Sequence, residues 1–477
     1  LKGQTGPAGN PFGGTEISGT GLWVGDYTMQ PENGGRSVFF HEYGHDLGLP
    51  DEYDSATGGG SPMEWWSLMA QSRTGAQGDQ SIGNHAADLG AWDKLQLGWL
   101  DYATGAAGQN RSYTLGPAEY NNDAGPQALV VTLPQKAVVT DYGAPFDGSK
   151  QWWSGQGNNL TTTMSRQVTL PAGAATLSFQ ARWNIEDCGP DPCDYAYVEV
   201  DDGSGWTAIP GSITNPAEAN GIDGVQWTWT PATFDLSTYA GKTIGLRVRY
   251  ATDPAAQGTD ATKPAGIFLD AITLTAGGAT VFTDDAENPP NGWTPVGFAT
   301  IGATATSHYN QYYIAAWRTY VSYDKYLRWG PYNFGWATTI PRQVEHFPYQ
   351  RGLVVSYWNT QYTNNNVSAH PGEGQILTVD SHPETLYRVD GLPWRARVQL
   401  YDAPFGHYNV DAITLHVNGV ASPIAARAGN PLFDDTQNYF DPVQLDHGVK
   451  VAGAGVKIRV LSQDGTVARV RLTGEAP

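Results

Sequence analysis

The chain has 477 residues, with 58 glycines, 31 prolines, 12% aromatic residues and a formal charge of -20 at pH 7, from Lys+Arg 27 against Asp+Glu 47. That balance gives nucleic acid no electrostatic footprint and opposes binding to anionic membranes, and no apolar run approaches the ~18 residues of a membrane span. The length allows about three domains, and the glycine, proline and aromatic content favours short strands joined by turns.

The chain opens at Leu1 with no signal-peptide pattern, so a processed N-terminus or an absent upstream part is expected. The first forty residues are glycine-rich. Then His41-Glu42-Tyr43-Gly44-His45-Asp46-Leu47-Gly48-Leu49-Pro50-Asp51 reads HExxHxxGxxD. Residues four apart share a helix face, so His41 and His45 can aim ring nitrogens at one ion about 2.0–2.1 Å away, the usual distance for zinc. Glu42 lies too far round the helix to be a good ligand, but it can reach a water on the ion and take its proton as general base. Gly48 can end the helix in a left-handed conformation, and Pro50 discourages its continuation, so Asp51 returns to the metal as third ligand, with Glu52 in reserve. The alternative is a surface helix with solvated side chains; the added glycine and acid, and an apolar face of Val38, Phe39 and Leu47 that would fix the helix in a core, favour the zinc site. Downstream, Trp65-Trp66-Ser67-Leu68-Met69-Ala70 puts a methionine shortly after the ligands, which resembles the methionine turn beneath the zinc of metzincins and implies that role for Met69. A gap-filling core methionine is the competing reading, and Met63 is the weaker choice for the turn.

A second helix is predicted from Asn84 to Gln96, with Asp88, Asp93 and Lys94 exposed and Leu89, Trp92, Leu95 and Leu97 buried. Strand patterns follow, first at Gln127–Leu133. Near Asp141 the texture becomes Gly/Trp/Thr-rich. Leu177, Phe179 and Ala181 alternate with polar neighbours, as do Ala196, Val198 and Val200, and Ile244, Leu246 and Val248; several short period-two runs predict a β-sandwich. Cys188 and Cys193, the only cysteines, flank turn residues and suit a local disulfide in an oxidising compartment. A redox pair or a soft-metal site fits the spacing less well. Glu186, Asp187, Asp191 and Asp194 around the cysteine loop, and Asp270, Asp285 and Glu287 near the end of this texture, are hard oxygen ligands at turns and suit calcium, with Asp187, Asp194, Asp270, Asp285 and Glu287 the chosen candidates, although solvated loop acids explain each one singly and no DxDxDG loop is present. A second metal site at His370, Glu373, His382 and Glu384 is conceivable, but turns and element ends explain these residues more simply.

Several runs carry a resemblance. Val24-Gly25-Asp26-Tyr27-Thr28, Pro31-Glu32-Asn33-Gly34-Gly35 and HEYGHDLGLPDEYD, then Gly90 to Leu100, and finally His370 to Gly374 with Asp380 to Glu384, resemble immune inhibitor A-type secreted metallopeptidases. The resemblance spans nearly the whole chain. It implies a multidomain, mainly β protein made as a secreted zymogen: a partial metzincin-like α/β catalytic region, then a β-rich domain with an inserted MAM-type jelly-roll β-sandwich. The expected parts are 1–105 (C-terminal portion of the catalytic domain), 106–143 (first part of the β-rich domain), 144–282 (MAM-like module) and 283–477 (remainder). Catalytic domains of this kind carry an N-terminal sheet whose edge strand holds substrate by β-augmentation. Residues 1–40 cannot supply it, so the chain is expected to be the latter part of a longer precursor, with the missing N-terminal segment as a partner, and to be a poor peptidase by itself.

Three function classes follow. The first is a secreted, extracellular zinc endopeptidase acting on protein or peptide substrates, with one catalytic Zn2+, Ca2+ as a further candidate cofactor, and no nucleic-acid partner. The second is a catalytically incomplete fragment acting as a β-sandwich binding module for glycan or protein, with Trp152, Trp153, Trp227 and Trp229 as an aromatic platform, although core packing is the commoner use of such residues. The third, a glycosidase with paired carboxylates, has no pairing that a sequence can pick out.

Overall fold

The computed structural model describes residues 15–24, 30, 32, 34–58, 60–189, 191 and 193–474. Gly25, Asp26, Tyr27, Thr28, Pro31 and Asn33 of the family-like runs, Gly59, and the first fourteen residues lie outside them. The chain divides into two compact units, one formed by residues 1–136 with 308–477, the other by 137–307. The second is wider at both ends than the module expected from texture.

In the first unit a mixed sheet runs in the order Ile376–Val379, Gly352–Asn359, Gln311–Arg318, Ala128–Thr132, Tyr102–Ala106, antiparallel except for the last pair. The Ala128–Thr132 strand lies within the strand expected at Gln127–Leu133, and its two faces go to different cores. Leu129 and Val131, with Tyr313, Ala315, Leu353 and Val355, meet Phe433, Ile458 and Val470 of an antiparallel sheet ordered Leu432–Asp434, Val456–Asp464, Val467–Gly474, Arg111–Leu115. Ala128, Val130, Ile314 and Ala316 face the other way, against Met63, Ala70 and Trp92. Successive strand residues point to opposite faces, so one sheet both closes the β-rich core and forms the floor beneath the HExxH region.

Helix α1 covers Arg36–Asp46. Its buried residues are Ser37 and Gly44, whereas Phe39 (45% exposed), Phe40, Tyr43 and Leu47 face outward. The expected apolar anchoring face is therefore corrected: the helix docks through its small residues, because only they let its backbone approach the underlying chain. Helix α2 is shorter than predicted, covering Ala91–Gln96. Asp88, Asp93 and Lys94 are buried, contrary to the expected exposure. The reason is specific pairing. Lys94 Nζ donates to Asp88 Oδ2 at 2.6 Å and to the Ala118 carbonyl at 2.7 Å, and Asp93 Oδ2 accepts from Gly90 N and Ser67 Oγ at the helix start. Among the described residues no helix is long and apolar enough to cross a membrane.

The second unit is a two-sheet antiparallel sandwich. One sheet has the order Thr207–Ala208, Tyr195–Asp201, Thr243–Ala251, Thr161–Thr169, Thr294–Val296; the other has Val225–Asp235, Ala175–Asn184, Gly266–Ala276, Gln151–Trp153, Ala299–Ile301, with Ala279–Asp284 also pairing Gly266–Ala276. Leu177, Phe179, Ala181, Ala196, Val198, Val200, Ile244, Leu246 and Val248 fill its core as the alternation predicts. Cys188 and Cys193 form a disulfide. The tryptophans do not make an open platform: Trp152 is in the core, and the Arg182 guanidinium covers Trp227 and Trp229 at 4.8 and 4.7 Å.

Candidate metal centre

Local sequence builds the centre in steps. Gly35 starts α1 in an extended conformation, Gly48 ends it at φ 98°, and the Leu49 amide closes back on the Gly44 carbonyl at 3.0 Å. That turn brings the Leu49 carbonyl within 2.8 Å of His45 Nδ1, while the Leu68 carbonyl lies 3.1 Å from His41 Nδ1. With both Nδ1–H groups donating to carbonyls, both Nε2 lone pairs are free for a cation, the usual support for a metal-bound histidine.

Asp51 Oδ1 lies 3.1 Å from His41 Nε2 and 3.1 Å from His45 Nε2. It is shielded from solvent and not aligned for a hydrogen bond to either ring. A tetrahedral zinc with bonds of ~2.0–2.1 Å holds its donors ~3.3 Å apart, so the donor set fits the ion. Without the ion the rings and the carboxylate stabilise one another's charges. The contact with Asp51 raises His45 to about 8, despite the opposing effect of burial. Burial pushes Asp51 upward, but its contacts with His41 and His45 outweigh that and hold it well below the usual carboxylate range.

Glu52, the reserve ligand, points elsewhere. It is 1% exposed, its amide donates to the Met69 carbonyl at 3.0 Å, and burial followed by the neighbouring Asp93 raises its carboxyl well above the ordinary value. Adjacent residues on extended backbone face opposite sides, so one of the pair meets the histidines and the other the interior.

Glu42 lines a pocket with His41 and Tyr53, and among the described residues it is in no ion pair. Met69 is fully buried under α1 with its sulfur against Gly44, where an added Cβ would stand 2.4 Å from it. Met63 sits in the sheet-facing core, where its sulfur accepts from Thr378 Oγ1. Tyr53, which sequence reasoning passed over, stacks near His41 with ring centroids 6.4 Å apart. Its only signal was an aromatic residue two places after Asp51.

The calcium candidates do not gather. Asp270 accepts from the Phe146, Asp147 and Ala271 amides, Glu287 from Ser149 and Lys150, and Asp285 from Glu287. Asp187 accepts from Gly189 N. These carboxylates stitch loops to strands. Asp194 and Glu186 come together with Asp253 in a potential cluster, where one Asp194 oxygen accepts from Asp253 N at 2.8 Å. In the first unit Glu373 pairs with Lys136 and Tyr362. His370 Nε2 contacts Asn364, and His382 lies beside Asp402, which also faces Arg427 at 3.4 Å. The four residues His370, Glu373, His382 and Glu384 thus form no common site.

A histidine pair on one helix, a carboxylate returned by a glycine turn, a free glutamate beside the first histidine and a buried methionine below define a metallopeptidase-type centre, here in a mainly β multidomain chain. Models of three domains cover almost all of it: immune inhibitor A peptidase M6 catalytic domain over residues 2–100, immune inhibitor A-like MAM domain over 110–303, and the VEG domain of immune inhibitor A-like metallopeptidases over 306–470. The pre-pro-metalloprotease PrtV of Vibrio cholerae is 31% identical over 92% of this chain and 46% of its own length. Immune inhibitor A of Bacillus thuringiensis subsp. alesti is 30% identical over 94% of this chain and 63% of its own length. The chain belongs to the immune inhibitor A-like metallopeptidase family, and it spans roughly half to two thirds of the length of these relatives.

Proposed function

We propose that the chain carries the metal-binding part of a secreted zinc endopeptidase that hydrolyses protein substrates, with His41, His45 and Asp51 holding the ion and Glu42 as general base. The single observation that carries this reading is the convergence of three donor atoms beside a carboxylate with no ion-pair partner. Zinc, when bound there, polarises a carbonyl and brings the pKa of its water to about 7. Each histidine contributes Nε2, oriented through its Nδ1 contact with a backbone carbonyl. Asp51 supplies the anionic ligand. Glu42 accepts the proton released as the carbonyl is attacked and can return it to the leaving amine, a role that requires its carboxylate to stay unpaired. Met69 supports α1 from below at Gly44, which keeps the two rings in register. The disulfide and the acidic composition support an oxidising, extracellular destination.

The test is metal content together with casein hydrolysis for the parent chain, Glu42→Gln and His45→Ala. Glu42→Gln is expected to retain zinc and lose hydrolysis by about 10²–10⁴-fold, and His45→Ala to lose the metal. A Glu42→Gln protein with most of the parent rate would remove Glu42 from its role. Failure of the parent chain to take up zinc would remove the reading itself.

A further inference from the structure

A pocket of about 270 Å³ is lined by His41, Glu42 and Tyr53 of the candidate metal centre. Arg73, Arg395 and Arg397 line it as well, the last two more than 300 residues downstream in sequence. Among the described residues none of these guanidinium groups is in an ion pair, in a chain of net charge -20. Arg73 and Arg395 are exposed at the rim. Arg397 is held deeper, 5.3 Å from the ring centres of both Trp65 and Tyr332 and 5.9 Å from that of Phe334. Its Nε and Nη1 are shielded from solvent and have no hydrogen-bond partner. Buried donors without partners are rare because each forfeits its hydration.

The acidic groups nearby do not satisfy them. Glu64, 4% exposed, lines the same pocket with Oε2 unpartnered and its backbone at φ 41°, a strained setting for a residue with a side chain. Burial, the leading effect, outweighs attraction to Arg397 and Arg395 and pushes it up to about 7. Asp446, beyond Gly60, is likewise raised by burial. Glu42 is the proton acceptor of the proposed reaction. The pocket therefore offers guanidinium donors, that of Arg397 packed against aromatic rings, which among the described residues form no ion pair with the acids around them.

Building on the peptidase reading, we propose that this pocket receives the side chain of a substrate residue next to the scissile bond, and that Arg395 and Arg397 select an aspartate or glutamate there. A guanidinium fork matches a carboxylate in two parallel hydrogen bonds, and aromatic stacking fixes Arg397 before the ligand arrives, which lowers the cost of binding. A peptide's own C-terminal carboxylate has the same chemistry, so the test separates the two sources.

The experiment uses amidated decapeptides identical except for Glu or Gln at one position, scanned along the peptide, with a free-acid version of each. With the zinc-loaded chain, the Glu peptide is expected to be cut at least about tenfold more efficiently when its Glu flanks the scissile bond. Arg395→Gln and Arg397→Gln should each reduce that ratio toward one while leaving the Gln peptide within about threefold. A merely structural loss would slow both peptides equally. Arg397→Lys, which keeps the charge and loses the fork, should fall between parent and Arg397→Gln. Binding of fluorescent versions to Glu42→Gln gives a readout independent of turnover, and the Glu peptide should bind about tenfold more tightly. If binding discriminates Glu from Gln but the parent cuts nothing, the peptidase reading fails, and with it the placement beside a scissile bond, while carboxylate recognition by Arg395 and Arg397 stands. Equal treatment of Glu and Gln, discrimination that survives both arginine substitutions, or a preference seen only with free-acid peptides would each overturn the proposal.

Discussion

The contact between Gly44 and Met69 is the structural joint on which the metal centre rests, and Gly44→Ala tests it. A Cβ at residue 44 would stand 2.4 Å from Met69 Sδ and 3.1 Å from its methyl carbon, whereas carbon and sulfur need roughly 3.5–4.0 Å. Met69 is fully buried, so relieving the overlap means shifting its neighbours or lifting α1. Overpacking of this kind costs about 1–3 kcal/mol. Replacing glycine by alanine inside a helix gains about 0.8–1.0 kcal/mol, which leaves a net loss of at most about 2 kcal/mol. The loss in metal affinity should be clearer, because lifting the helix moves both imidazoles while Asp51, beyond the Gly48 turn, stays behind. Met69→Ala alone should cost about 2–5 kcal/mol, and adding Gly44→Ala to it should recover part of that by refilling space. The two substitutions should therefore couple by about 1–3 kcal/mol. Urea unfolding of the metal-free proteins, analysed as two transitions because there are two compact units, gives the stabilities, and competition with a chromogenic chelator gives the zinc affinities. A Gly44→Ala chain as stable and as zinc-avid as the parent, with effects additive to those of Met69→Ala, would refute the idea that Met69 supports the helix.

Other expectations follow from named contacts. Asp51→Ala should weaken zinc binding by more than the ~10–100-fold typical of outer-shell losses, while Glu52→Gln should leave it nearly unchanged; chelator competition separates them, and a reversed order would transfer the ligand role to Glu52. For Glu64 the rise from 4.5 to about 7 means that the folded chain holds this proton more tightly than the unfolded one. Its contribution to stability is therefore greatest below pH 4.5 and declines by about 3 kcal/mol as pH rises through 7. Glu64→Gln should flatten that slope, which denaturant unfolding at pH 5 and pH 8 would reveal. Lys94→Met should destabilise the first unit by about 3–5 kcal/mol, because it leaves the buried Asp88 carboxylate without its partner; a midpoint shift in thermal unfolding too small for that loss would mean that water replaces the ammonium.

The convergence of His41, His45 and Asp51 was legible because its determinants are local. A four-residue interval on a helix, a glycine able to turn at positive φ and an acid at a fixed distance beyond it specify where His41, His45 and Asp51 meet without reference to the rest of the chain. Alternation likewise located the sandwich strands, since period two survives wherever one face is buried. What the tertiary structure decided was which residues lose water and to whom. Val38, Phe39 and Leu47 look like a core face, yet close approach of α1 to Met69 at Gly44 and to Gly83 at Ser37 buries the small residues instead. Asp88, Asp93 and Lys94 look like surface residues until chain folding supplies each with a partner. The suspected calcium ligands became acceptors for backbone amides, because loops folding onto strand ends present unsatisfied N–H groups that carboxylates can cap. Arg395 and Arg397 reach the pocket beside Glu42 from the far end of the sequence. Periodicity carries no trace of such a meeting, since it depends on non-local strand pairing and on burial, which only the assembled sheets impose.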